Sequence, residues 1–119
     1  MRFFMYTLGD ESIPMPPPTP ELMEKMGAFM AEAQQSGALI QTGGFGPSVL
    51  GATVGLANGA FTVTDGPFSE AKELIGGWAL VEVASKDEAI EYAKRFLGIV
   101  GGGESRIRQV FGPEDGAPR

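Results

Sequence analysis

The chain has 119 residues, a length that fits one domain with a single hydrophobic core. It contains no cysteine and no histidine, which excludes disulfides, thiolate nucleophiles, Ser–His triads and metal sites built on imidazole or thiolate. Its formal net charge of -6 argues against nucleic acid, which needs a basic stripe on its partner, and against an anionic membrane surface.

The first elements of the chain are a strand and a helix. Arg2–Leu8 is apolar on both faces, which is typical of a strand in the middle of a sheet. A proline-rich connection follows, after which Thr19 and Pro20 are the hydroxyl N-cap and the first residue of a helix. Gly37 supplies its left-handed stop. The apolar stripe of this helix comprises Leu22, Met26, Phe29, Met30 and Ala33.

The middle of the chain predicts a β-hairpin next to further strands. Strands are indicated at Ala38–Phe45, Val49–Ala57 and Ala60–Thr64. Asn58-Gly59 joins the last two, because both residues accept the positive φ of a tight hairpin turn.

A polar helical turn and a strand come next. The turn is predicted at Ser69–Leu74, and Gly76-Gly77 breaks it. The strand Trp78–Val83 alternates, with Ala79, Val81 and Val83 on one face.

The end of the chain predicts a second helix and a last strand. Ser85 begins a capping box, and Gly98 ends the helix. The closing strand is Ser105–Phe111, and residues 113–119 form a flexible tail. The buried stripe of the helix comprises Ala89, Ile90, Ala93, Phe96 and Leu97.

These elements predict an α+β domain over residues 1–112. The arrangement is a ferredoxin-like split β-α-β sandwich with a mainly antiparallel sheet and two main helices on one face. Arg2–Leu8 and Trp78–Val83 nevertheless carry apolar side chains on both faces. Since a bare apolar face is usually an interface or a pocket wall, we predict a homodimer or higher oligomer that encloses a pocket.

One run of residues also carries a family resemblance. TVTDGPFSEAKELIGGWALVEV, from Thr62 to Val83, and the following DEAIEYAKRF resemble the DGPF-motif branch of the YCII-related domain family. The resemblance extends from the MRFFMYTLGDE start to the closing SRIRQVF strand. It implies a ferredoxin-like fold that pairs into a dimeric α/β-barrel assembly.

The resemblance implies no single activity. Relatives in the wider superfamily include isomerases, dehydrochlorinases and cofactor-free oxygenases, and some DGPF proteins are linked to alternative sigma factors. The better-described YCII branch places a histidine near an aspartate in its presumed site. This chain has no histidine, so a mechanism that needs such a pair cannot be carried over.

Three charged residues are the catalytic candidates. Asp65 is either a turn residue held by neighbouring amides or a carboxylate at the pocket mouth that transfers a proton. Arg106 and Arg108 are two apart on a strand and therefore share a face. They either bind a carboxylate or enolate, or are solvated or paired with Glu82 or Asp65.

Four more residues are candidates for ligand binding. Tyr6 either lines the pocket or is buried with a hydroxyl partner, and Lys72 either approaches Asp65 or is solvated. Phe68 and Trp78 either pack in the core or dimer interface or clamp a ligand. The glycine stretches match neither phosphate-loop pattern, and no cofactor or metal is expected.

The residues leave more than one function open. An enzyme or binder would act on a small cyclic or keto acid, with Asp65 moving a proton and an arginine stabilising the enolate. The alternative is a non-catalytic regulatory or interaction module, linked to sigma-factor-dependent transcription, and a third is a stabilising subunit of a larger oligomer. The sequence shows no signal peptide, which predicts a cytoplasmic protein.

Overall fold

The computed structural model describes residues 1–9, 17–66 and 74–115. Short 3₁₀ turns occupy Ser48–Leu50 and Pro113–Asp115. Within the described residues the strands and helices are, in chain order, β1 (Arg2–Gly9), α1 (Pro20–Gln35), β2 (Leu39–Gly44), β3 (Ala52–Ala57), β4 (Ala60–Asp65), β5 (Leu74–Glu82), α2 (Lys86–Val100) and β6 (Glu104–Val110).

The main sheet has its most apolar strands in the centre. In the described part of the chain, four antiparallel strands pair in the order β2-β5-β1-β6, so β1 is a central strand, as predicted. Alternation along β1 turns Phe3 and Met5 to one side, where both are buried together with Val81. Ala89 and Ala93 of α2 pack onto this side, because their small side chains let the helix approach closely. The α+β fold is confirmed.

The other side of the sheet, away from both helices, is the open face. It carries Phe4, Tyr6, Trp78 and Leu80, which pair across β1 and β5 in the register Phe4 with Leu80 and Tyr6 with Trp78. All four side chains are half-buried. Both sides of the central strands are therefore apolar, but only one of them packs against helices.

The helix starts confirm the sequence predictions. The Leu22 N–H donates to Thr19 Oγ1 at 3.1 Å, and Pro20 is the first helical residue. The Glu88 N–H donates to Ser85 Oγ at 3.2 Å, which caps α2 in the same way.

The predicted end of α2 at Gly98 is wrong. The helix continues through Gly98 to Val100, and the left-handed stop is Gly101, with φ at 92°. A glycine inside a helix costs only part of a kcal/mol, roughly 0.5–1, so the packing of the flanking residues overrides it. Gly37, with φ at 81°, does lie at the predicted stop of α1.

The predicted break at Gly76-Gly77 is also wrong, because both glycines lie inside β5. Tyr6 and Leu8 pair with Trp78 and Ile75, so the two glycines together lie opposite Thr7 in a β-bulge. The Gly77 N–H donates to Thr7 Oγ1 at 2.9 Å, which replaces a ladder hydrogen bond at the bulge. The helical turn predicted at Ser69–Leu74 lies outside the described residues, apart from Leu74, where β5 begins.

The strands β3 and β4 form a hairpin that is separate from the main sheet. Its turn has Asn58 at φ 52° and Gly59 at φ 77°, as the sequence predicts. The strand predicted from Val49 begins only at Ala52, since a 3₁₀ turn precedes it. At the base of the hairpin, the Gly66 N–H donates to the Gly51 carbonyl at 3.0 Å. The Phe45 N–H donates to the Gly76 carbonyl at 3.0 Å, which extends the pairing of β2 with β5 into the connection that leads to the hairpin.

Candidate functional site

A cavity of about 270 Å³ lies between the two helices and the sheet. Its helical wall contains Met26, Phe29, Met30 and Ala33 of α1 with Tyr92, Ala93 and Phe96 of α2. Its sheet wall comprises Met5, Tyr6, Thr7, Ala38, Leu39, Thr42, Gly43, Gly77, Trp78, Ala79, Val81 and Ser105.

The cavity forms because the two helices face the sheet with side chains of different length. Ala89 and Ala93 hold α2 close to β1, whereas the cavity side of α1 carries the longer Met26 and Met30, both half-buried. On the outer side, Arg95 of α2 forms an ion pair with Glu32 of α1 and places its guanidinium 4.8 Å from the Phe29 ring centroid. These contacts join the two helices above the cavity.

The walls of the cavity are mostly apolar, and their polar side-chain groups include hydroxyls. Among the described residues, none that borders it is charged. Thr42 Oγ1 donates to the Trp78 carbonyl at 2.8 Å, and Thr7 Oγ1 accepts a hydrogen bond from the Gly77 N–H at 2.9 Å. Both hydroxyls therefore already have hydrogen-bond partners in the backbone of β5. The hydroxyls of Ser105 and Tyr92 form no hydrogen bond with any described residue. These two groups remain available to a ligand.

Aromatic rings cluster on the open face of the sheet. The Phe4 and Trp78 rings stack with centroids 5.8 Å apart, and Phe4 and Tyr6 lie 6.0 Å apart. The indole covers Gly43, where a Cβ would stand 2.9 Å from Trp78 Cζ2. Tyr6 and Trp78 belong to the open face and also border the cavity.

The two candidate arginines also lie on the open face. Arg106 is opposite Tyr6 and Arg108 is opposite Phe4, and both side chains are exposed. Directly opposed residues share a face, as the sequence spacing predicts for this pair. The carboxylate of Glu82, which the sequence suggests as a partner of these arginines, lies 3.5 Å from Arg2 Nε and 3.9 Å from the N-terminal amino group. The arginines are therefore beside Phe4 and Tyr6, and not in the cavity.

The remaining predicted residues are at or beyond the end of the hairpin. Asp65 is the last residue of β4, lies opposite Ala52, is exposed, and does not border the cavity. Phe68 and Lys72 lie outside the described residues. The structure thus brings Tyr6 and Trp78 to the cavity but places Asp65, Arg106 and Arg108 away from it.

Sequence reasoning missed most of the cavity wall. The stripe of α1 was interpreted as core packing, and Thr7, Thr42 and Ser105 gave no signal as single hydroxyl residues in strands. One signal was present: Met26 and Met30 stand where a tightly packed stripe would use branched residues. Methionine fills irregular space because its side chain is flexible.

The described part of the chain contains neither a cluster of metal-ligating side chains nor a membrane-spanning helix. Within residues 1–9, 17–66 and 74–115, no three acidic side chains come together in a way that could hold a metal ion. No helix in these ranges has the length and apolar composition to cross a bilayer.

The sequence matches a known domain family over most of its length. A model of the YCII-related domain matches residues 1–108. The chain belongs to the YCII-related family. This YCII-related protein is also 33% identical over 73 residues to "Uncharacterized protein R00369" of Rhizobium meliloti (strain 1021). That match covers 61% of this chain and 59% of the length of the relative.

A solved structure is also similar to this YCII-related protein. It is the 5-chloro-2-hydroxyhydroquinone dehydrochlorinase (TftG) from Burkholderia phenoliruptrix AC1100, in complex with 2,5-dihydroxybenzoquinone. The similarity covers 97% of this chain and 99% of that chain, with a TM-score of 0.46 and 17% sequence identity.

Proposed function

We propose that this YCII-related protein binds a small, uncharged, mostly aromatic molecule in the cavity between its helices and its sheet. The observation that carries the proposal is the cavity itself: about 270 Å³, with apolar walls and two hydroxyl groups that have no partner among the described residues. Pockets of this kind, mostly apolar with a few polar groups, are the usual form of small-molecule sites.

The size and the charge of the cavity limit the ligand. A cavity of about 150 Å³ holds a benzene molecule, so 270 Å³ gives room for one substituted ring or two small rings. A charged ligand would lose its hydration without gaining a counter-ion from the described wall, which is costly. A neutral molecule with one or two hydroxyl or carbonyl groups fits best.

The walls also support binding of a flat ring. Phe29, Tyr92 and Phe96 supply aromatic surface, and the flexible Met26 and Met30 can adapt to the outline of the ring. Ser105 and Tyr92 lie on β6 and α2, so their hydroxyls can hold the polar end of the ligand.

Filling the cavity should abolish binding. We expect 4-fluorophenol, which is neutral, to bind the wild-type protein, and Ala33→Leu to lose that binding, because Ala33 is buried in the cavity wall. Broadening of the fluorine NMR line of 4-fluorophenol measures the binding. Ala31→Leu is the matched control, since Ala31 is exposed on the same helix and does not border the cavity. Circular dichroism confirms that each variant is folded.

A second probe tests the predicted preference for neutral ligands. The anion 4-fluorobenzoate has a similar size, and we expect it to bind at least about tenfold more weakly, because burying its charge is unfavourable. Equal binding of both probes, or equal binding by the Ala33→Leu and Ala31→Leu proteins, would contradict the proposal.

A second candidate function, proton transfer on a small cyclic or keto acid, has support from the open face. Arg106 and Arg108 flank the aromatic rings of Tyr6 and Phe4 there, which suits a ring bearing a carboxylate. Asp65 would move the proton, as the sequence predicts. Such a site needs a second copy of the chain against the open face, and the homodimer is part of this proposal. The DGPF-type branch, cytoplasmic location and a regulatory role in transcription stay predictions.

Replacement of Asp65 tests this second function. We expect the wild-type protein to exchange the α-protons of 2-oxobutyrate for deuterium, and Asp65→Asn to lower the rate about hundredfold, because general bases contribute roughly 10²–10⁴-fold. Proton NMR in D2O measures the exchange. Glu24→Gln is the matched control, since Glu24 is exposed on α1, on the helical side of the sheet and away from the open face. If the wild-type protein exchanges no protons above background, this function is wrong.

A further inference from the structure

We propose that the β3–β4 hairpin is an arm that binds the open face of a second copy of this chain. The side of the hairpin that would make the contact, the hairpin face, consists of Val54, Leu56, Phe61 and Val63. The proposal does not depend on the ligand of the cavity.

The hairpin face is apolar and uncovered. Val54 lies opposite Val63, and Leu56 lies opposite Phe61, so all four side chains share one side. Their exposed fractions are 67%, 66%, 62% and 74%, respectively. The other side of the hairpin is polar or small, with Thr53, Gly55, Thr62 and Thr64. This segregation is typical of a strand pair with one buried side, yet all four apolar side chains are exposed and no described residue covers them.

The stability of the hairpin points in the same direction. A two-stranded hairpin alone in water is marginally stable at best, and needs a further strand or a packing partner. Within the described residues, β3 pairs only with β4. The Phe45 N–H that donates to the Gly76 carbonyl belongs to the connection before the hairpin, and no backbone hydrogen bond among the described residues joins β3 or β4 to the main sheet. A partner on the hairpin face would supply the missing support.

Charge complementarity indicates a second copy as that partner. Asp65 continues the alternation of Phe61 and Val63, so its carboxylate lies at the end of the hairpin face. Arg108 lies on the open face, next to Phe4. Neither side chain forms an ion pair with any described residue. Asp65 of one copy and Arg108 of another have opposite charges, so the two surfaces can form an ion pair between copies.

The exposed area is large enough for a stable dimer. Phe45, Val49 and Leu50, near the hairpin base, are also exposed, which makes seven large apolar side chains between residues 45 and 63. Each buries on the order of 100 Å² in a contact, so this region supplies about 700 Å² of the roughly 800 Å² that each partner buries in a stable interface, and the open face of the same copy supplies the rest. In a two-fold arrangement each copy contributes one arm and one open face, so the contact closes and does not propagate into a fibre.

Adjacent residues of β4 provide the test. We expect the wild-type protein to be a dimer at micromolar concentration by analytical ultracentrifugation, and Phe61→Lys to raise the dissociation constant at least about hundredfold, since it buries an unpaired charge. Thr62→Lys, with the same change on the opposite side of the hairpin, should remain dimeric. A monomeric wild-type protein, or a Phe61→Lys protein that remains dimeric while folded, overturns the proposal.

A charge exchange tests where the arm binds. Asp65→Arg and Arg108→Asp should each raise the dissociation constant about five- to tenfold, and the double variant should restore it, because the new arginine then meets the new aspartate. A double variant that dimerises no better than the single ones overturns the open face as the docking surface. Circular dichroism verifies the fold of all variants.

Discussion

Phe3→Ala should lower the free energy of unfolding by about 3–5 kcal/mol, the usual cost of removing a buried aromatic side chain. Phe3 is 3% exposed in the central strand β1 and belongs to the core with Val81 and Ala89. The core is small, and the neighbours that surround Phe3 are held by strand pairing and by α2, so they cannot collapse into the space. Urea denaturation followed by circular dichroism measures the loss.

The adjacent Phe4 is the matched control for this prediction. Phe4→Ala removes the same atoms from the same strand, but on the open face, where Phe4 is half-buried and stacks on Trp78. Its cost in the monomer should be only about 1–2 kcal/mol, since much of the ring is already in water. If Phe4→Ala costs as much as Phe3→Ala in a monomeric background, our assignment of the two faces is wrong.

Gly66→Ala should disrupt the base of the hairpin. A Cβ on Gly66 would overlap the carbonyl oxygen of Ser48 and stand 2.5 Å from its carbonyl carbon. Both atoms belong to the backbone, so relief requires the 3₁₀ turn or the strand to move, and the Gly66 N–H would lose its 3.0 Å hydrogen bond to the Gly51 carbonyl. We expect a local cost of about 3 kcal/mol, at the upper end of the overpacking range.

Amide hydrogen exchange over residues 52–65 measures this effect, because the hairpin is outside the four-stranded sheet and a global melting temperature would not report it. Gly98→Ala is the control. Gly98 lies in α2, and a Cβ added there would have no atom within 4 Å, so alanine should stabilise the protein by about 0.5–1 kcal/mol. Unchanged exchange in the Gly66→Ala hairpin would contradict the predicted overlap.

Local sequence signals predicted the elements of this fold well. The caps at Thr19 and Ser85, the hairpin turn at Asn58 and the central position of β1 each follow from residues that are neighbours in the chain. Apolar alternation also separated the two sides of Trp78–Val83 in β5 correctly. These features depend on local backbone chemistry and on burial, which a single sequence records.

The exceptions were decided by contacts between distant residues. Gly76 and Gly77 are typical of a break, but Thr7, about 70 residues away in the chain, provides the hydroxyl that supports a bulge at this position. The left-handed stop of α2 is Gly101 and not Gly98. Both residues are glycines, so no local signal in the sequence indicates which of them ends the helix.

The candidate site was the least predictable part. Tyr6 and Trp78 do border the cavity, but its walls also come from α1, α2 and β6, and a void between them leaves no pattern in the sequence. The Gly66 of the DGPF motif can be explained by its close approach to Ser48, a contact between segments that are distant in sequence. The proton transfer proposed for Asp65 and the arginines requires the proposed second copy, whose position a single sequence does not encode in any local pattern.

Trp78 connects the two sides of the sheet. It borders the cavity, while its indole lies against Gly43 and stacks on Phe4 on the open face. In the proposed dimer, a guest that shifts this ring would also change the surface that binds the second copy, and thermodynamic linkage would require dimerisation to change the affinity for the guest by the same factor. The affinity measured for such a guest would then depend on how concentrated the protein itself is.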